Sequence, residues 1–163
     1  MLLLAGCGGA PLRPPPPAVP VEAPAPAAAE RLGERAAALA ASLVGTPYRY
    51  GGAARDGFDC SGLVYYVYAT LGVAVPRTAA GQRAAVTRVR AEELEPGDLV
   101  FFYTPADHVG IYLGNGEFVH APASGRSVER TRLDTPFFLL GYAGSGRIGQ
   151  SVTQRTPAPA AVN

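Results

Sequence analysis

The dipeptide Asn115-Gly116 constrains the fold of this chain more than any other pair of residues. It separates His108-Val109-Gly110-Ile111-Tyr112-Leu113 from Glu117-Phe118-Val119-His120. Both turn residues enter the left-handed region at little cost, and a two-residue turn of that kind matches the twist of two antiparallel strands. The flanking runs are therefore expected to be a hairpin. Leu99 to Tyr103, released from the turn Pro96-Gly97-Asp98, reads as a third strand, with two more around Ser127 to Arg130 and Leu139 to Ala143. Earlier in the chain the apolar spacing becomes helical. Glu30 to Val44 is Ala-rich, carries Leu32, Leu39, Leu43 and Val44, and is stopped by Gly45 and Pro47. A second helix follows Asp59-Cys60-Ser61, through Leu63, Val64, Tyr65, Val67, Tyr68 and Leu71 to Gly72. A third, short helix is expected from Thr78 to Ala85. Helices followed by an antiparallel meander predict an α+β domain.

Composition narrows the function. The 163 residues are 48% hydrophobic and 17% charged, enough for one core. A net charge of +1 gives no electrostatic case for nucleic acid. All 14 basic residues are Arg, which excludes a Schiff-base lysine and a lysine-bearing phosphate loop. With 2 Cys and 2 His, a structural zinc site would consume nearly all of them, and Cys7 lies far from the rest; metal is set aside. No apolar run reaches the length of a membrane-spanning helix.

The chain divides into four segments. Residues 1–7 end in Leu-Ala-Gly-Cys, which resembles a bacterial lipobox with Cys7 as the lipidated residue; the alternative is an apolar terminus with an incidental Cys. Residues 8–29 are rich in Pro, Ala and Gly and favour extended polyproline conformations. Fully extended, they could tether a domain about 70 Å from a membrane. Residues 30–147 form the expected folded domain, and 148–163 a loose tail.

Three residues could carry chemistry. Cys60 is expected at a helix N-terminus, where unpaired amides and the positive dipole end favour a thiolate. The other readings are a buried structural Cys, or a disulfide with Cys7. His108 opens its strand and is placed to act as a base, or else is an ordinary strand-end His. His120 closes the partner strand, so the hairpin can make the two cross-strand neighbours. A base must be held in one orientation by a third polar group, and a second imidazole can supply that by accepting a hydrogen bond.

Six blocks then acquire a common meaning. Gly45-Thr46-Pro47-Tyr48-Arg49-Tyr50-Gly51-Gly52, Asp59-Cys60-Ser61-Gly62-Leu63-Val64, Val75-Pro76-Arg77-Thr78, Pro96-Gly97-Asp98-Leu99-Val100-Phe101-Phe102, His108 to Gly116 and Phe118-Val119-His120-Ala121 resemble, in order, the motifs of NlpC-type cell-wall cysteine peptidases. The resemblance covers about Ser42 to Tyr142. It implies a reduced papain-like α+β fold with a nucleophile helix packed on an antiparallel sheet. It implies Cys60 as nucleophile, His108 as general base and acid, and His120 as its orienting residue. Tyr48 would assist the oxyanion, and Asp59 and Ser61 would line the substrate groove and bind the free amine of a stem peptide. Arg77 and Asp98 would be structural first. No cofactor is implied. The partner implied is a peptidoglycan stem peptide, cut at γ-D-glutamyl-diaminopimelate or at the diaminopimelate–D-alanine cross-link. The setting implied is an exported, envelope-located monomer, membrane-anchored through Cys7. A non-catalytic wall-binding module, and a thiol acyltransferase or amidase on the same scaffold, are the alternatives.

Overall fold

The computed structural model describes residues 26–103 and 107–149. Cys7, most of the Pro-rich segment and the chain beyond 149 lie outside the described residues. The first helix, α1 (Pro26–Ser42), begins within the last residues of the segment read as linker. Pro is tolerated in a first helical turn, where its missing amide costs nothing, and the alanines after it are strong helix formers. Leu32, Ala36, Ala40 and Leu43 fall at helical spacing and are all buried.

A short hairpin, β1 (Ala53–Ala54) and β2 (Gly57–Phe58), precedes α2 (Cys60–Thr70). The Asp59 side chain caps α2 by accepting from the Gly62 amide at 2.6 Å. Gly72, with φ +81°, closes the other end, where the Val73 amide donates back to the Tyr68 carbonyl. Next come α3 (Ala79–Ala85), β3 (Thr87–Val89) and a 3-10 turn over Ala91–Glu93. The strands β4 (Leu99–Phe102), β5 (His108–Gly114), β6 (Glu117–His120) and β7 (Glu129–Arg132) follow. The described chain ends on α4 (Pro136–Gly141) and β8 (Tyr142–Arg147). The Asn115-Gly116 turn has φ of +54° and +77°, as the β5–β6 hairpin requires.

The six-stranded sheet is antiparallel throughout, in the order β3-β8-β4-β5-β6-β7. Strands β4 to β7 form the expected meander; the departure is β8, which returns to lie between β3 and β4. The expected strand at Leu139–Ala143 is half helix: Pro136 starts α4, and an apolar run such as Phe137-Phe138-Leu139-Leu140 fits a buried helix or a strand equally well. The strand expected at Ser127–Arg130 runs two residues later, and Ile148 is buried, so the core extends past the boundary set at 147.

Both faces of the sheet are covered. One packs against α1 and α2 through Leu99, Phe101, Val109, Ile111 and Val119. The other carries Val100, Phe102, Tyr112 and Phe118 under Phe138 of α4. Of the apolar pair in α4, Phe138 packs inward while Phe137 remains 65% exposed. Asp98 is a turn residue, as read: it accepts from the Glu95 amide at 2.9 Å and from the Arg147 guanidinium at 2.7 and 2.9 Å.

Candidate active site

Cys60 is the first residue of α2. Its thiol donates to the Asp107 carbonyl at 3.8 Å, and the Val109 amide is near enough to favour the sulfur's anion. The sulfur therefore lies against the backbone on both sides of His108. The expected depressed thiol is not what the fold produces. Burial pushes the Cys60 thiol above its ordinary value, and the Asp59 charge adds to that; the amides of Val109, Ser61 and Cys60 itself pull the other way without prevailing. A helix end favours an anion only as far as desolvation allows.

His108 and His120 meet through Nε2 and Nδ1 at 2.8 Å, their rings 86° apart. The register Ile111↔Val119 and Tyr112↔Phe118 continues to place His120 opposite Gly110, so His108 is its diagonal neighbour, a distance that long side chains span. Phe118 and Phe138 rings lie 4.9 and 5.1 Å from His120, and Phe102 lies 6.0 Å from His108. This aromatic wall strips water from His120, which is buried, and partly from His108, which is half-buried. Burial lowers His108 to about 4, against an opposing pull from Asp107. Burial, then His108 and Arg126, lower His120 to about 3. The resting pair is accordingly a thiol and neutral imidazoles.

The wall around Cys60 is built from the loop before α2. Asp59 does more than cap. Its Oδ1 accepts from Gly62 and Arg77, and its Oδ2 from Arg77 at 2.7 Å and from the Gly51 amide at 3.0 Å. Burial alone would raise this carboxyl, but the bonds from Arg77, Gly62 and Ser61 outweigh it and hold it below the usual range. Arg77 also donates to Ser61 Oγ at 2.9 Å. Arg77, assigned to structure by the sequence reading, thus belongs to the wall of the site. Tyr48 shares the same cleft; burial and the neighbouring Cys60 and Asp59 raise its phenol.

Two clefts meet here. One, about 570 Å³, is lined by Tyr48, Asp59, Cys60, Ser61, Arg77 and Asp107. The other, about 660 Å³, runs past His108, His120, Arg126, Glu129 and Phe137 and also touches Asp107. Asp107, whose carbonyl lies beside the sulfur, lines both. Thr131 and Glu129, which face His120 from β7, were missed in the sequence, because only the β6–β7 pairing brings them there.

A family model for the NlpC/P60 family matches residues 45–147. Murein DD-endopeptidase MepH of Escherichia coli (strain K12) is 44% identical over 121 residues, covering 69% of this chain and 44% of that protein. Gamma-D-glutamyl-L-lysine dipeptidyl-peptidase of Bacillus cereus (strain ATCC 10987 / NRS 248) is 37% identical over 110 residues, covering 64% of this chain and 33% of that one. The chain thus spans less than half the length of these two curated relatives. Among solved structures, an NlpC/P60 family protein from Bacillus cereus ATCC 10987 superposes with a TM-score of 0.68 at 32% identity, covering 78% of this chain and 41% of that one. The NlpC/p60 domain of the peptidoglycan hydrolase SagA gives 0.63 at 33% identity, covering 70% of this chain and 97% of that one. With the six sequence blocks, the antiparallel sheet behind the Cys60 helix and these likenesses in agreement, the chain belongs to the NlpC/P60 family and has its α+β papain-like fold.

Proposed function

We propose that this chain is a cysteine peptidase that hydrolyses amide bonds in peptidoglycan stem peptides. The observation that carries the reading is the placement of Cys60 Sγ against the backbone flanking His108, while His108 Nε2 is held by His120 at 2.8 Å. That leaves His108 Nδ1 as the nitrogen available for proton transfer.

The reaction begins with a neutral pair. His108 takes the Cys60 proton as the sulfur attacks the amide carbonyl, so charge develops only in the transition state. The Cys60 amide at the start of α2 receives the oxyanion, with the Tyr48 hydroxyl as a second donor. Protonated His108 then gives its proton to the leaving amine, and water hydrolyses the thioester. Asp59 and Ser61 line the acyl-side groove, but Arg77 already occupies both Asp59 oxygens, so any substrate amine must share that network.

Two bonds fit. The likeness to a protein named murein DD-endopeptidase supports the diaminopimelate–D-alanine cross-link; the likeness to one named gamma-D-glutamyl-L-lysine dipeptidyl-peptidase supports the γ-D-glutamyl bond. The site of action is the cell envelope, with Cys7 as lipid anchor, and one chain supplies the whole site. A solved neighbour described as similar to a lipoprotein of the NLP/P60 family, from Staphylococcus aureus subsp. aureus Mu50, supports that setting. Purified protein is expected to release new peptide ends from muropeptides, read by mass spectrometry, which also names the bond. Cys60→Ala should lower turnover by about a thousandfold or more. Equal turnover by the two proteins would overturn the proposal, and adduct formation without new ends would favour an acyltransferase.

A further inference from the structure

The two-histidine pair has an ambiguity that the rings alone do not resolve. Each neutral imidazole carries one N–H, and the 2.8 Å contact needs one donor and one acceptor. In one arrangement His108 Nε2–H donates to His120 Nδ1. His108 Nδ1 then keeps a lone pair, and His120 carries its proton on Nε2. In the other, His120 Nδ1–H donates to His108 Nε2. His108 Nδ1 then carries the proton and cannot take another from a thiol. Which arrangement prevails depends on what faces His120 Nε2.

Two groups do. Thr131 Oγ1 lies 3.2 Å away and Glu129 Oε1 3.4 Å away, both on β7, where Glu129 is the register partner of His120. A hydroxyl donates or accepts and so satisfies either arrangement. A carboxylate only accepts, so it favours the first and opposes the second. The Arg126 guanidinium contacts Glu129 Oε2 at 2.5 Å, and Oε1 is the oxygen that lies 3.4 Å from the imidazole. Among the described residues, the other charges acting on the pair are Asp107, beside His108, and Arg126 itself, which acts on His120.

We infer that Glu129 is a positioning residue: its negative charge, 3.4 Å from His120 Nε2, favours a proton on that nitrogen, which Thr131 Oγ1 accepts, and so selects the tautomer that leaves His108 Nδ1 free to act as base. The chain runs from Glu129 through His120 and His108 to Cys60, with only the thiol proton transferred in the attack. The inference rests on the Cys60–His108–His120 reading above. Because the Glu129 side chain is 30% exposed, its effect is that of a partly screened charge.

The test uses the full chain, ¹⁵N-labelled, and its two histidines make the ring nitrogens simple to assign. In the unaltered protein His120 should show a protonated Nε2 and an unprotonated Nδ1. Glu129→Gln is isosteric and can donate to Nε2. It should move His120 toward the Nδ1-protonated form and lower kcat on cross-linked muropeptides by about 10- to 100-fold with KM little changed. Thr131→Val should retain the original tautomer. If Glu129→Gln keeps both tautomer and kcat while His120→Ala is inactive, the assignment of Glu129 falls alone. A tautomer change in Thr131→Val but not in Glu129→Gln would likewise transfer the role to Thr131. Full turnover by His120→Ala would overturn the triad and this inference together.

Discussion

At Cys60 two effects of the same location oppose each other. The helix N-terminus supplies amides that favour a thiolate, and burial between α2 and β5 disfavours any charge; burial is the larger. His108, lowered to about 4 by its aromatic surroundings, is a weak competitor for the thiol proton at rest. The expected consequence is a thiol that alkylates slowly at neutral pH. Iodoacetamide labelling of the Cys60 peptide, followed by mass spectrometry, should keep rising past pH 8.5, whereas a plateau reached by pH 6 would demonstrate a standing thiolate. The acid limb of kcat/KM should lie near pH 4, where His108 becomes protonated and can no longer accept the proton, and not near 6.5. The thiol's identity as the candidate nucleophile was legible from Asp59-Cys60-Ser61-Gly62; its ionisation was not, because desolvation depends on what packs over the sulfur.

The element that matters most is the start of α2. A Cβ on Gly62 would lie 1.9 Å from the Gly52 carbonyl oxygen, so the loop carrying Tyr48 to Gly52 can approach the helix only because residue 62 has no side chain. That approach also lets Arg77 reach the Gly52 carbonyl and Asp59 together. Gly62→Ala must push backbone away from backbone. It should cost about 2 kcal/mol or more and reduce turnover with the loop displaced, checked by urea unfolding and muropeptide assay on the same preparation. Unchanged midpoint and rate would contradict the close contact. Helix caps, the Asn115-Gly116 hairpin and the 3.6-residue spacing of α1 and α2 were readable because they are local. The half-helix at Pro136–Gly141 was not, since an uninterrupted apolar run has no period that separates helix from strand, and nothing local shows that only Phe138 of it is buried.

For the molecule as a whole, the histidine pair couples stability to pH. Both folded values, about 4 and about 3, lie below the unfolded 6.5, so between these limits the unfolded chain binds more protons. The contribution is complete above pH 6.5 and is lost as pH falls toward 4, with a slope of up to about 1.4 kcal/mol per pH unit for each imidazole. The urea midpoint should therefore be lower at pH 4.5 than at pH 7; identical midpoints would mean that the imidazoles are not buried neutral. Taken alone, the sequence determined the helix–sheet class, the hairpin and the candidate trio of Cys60, His108 and His120, because turn chemistry, periodicity and motif order are properties of neighbouring residues. Only the tertiary structure decided that β8 lies between β3 and β4, that Arg77 is spent on Asp59, and that Glu129 faces His120. Those are pairings between residues distant along the chain, and no local pattern specifies which distant groups burial and strand register will bring into contact.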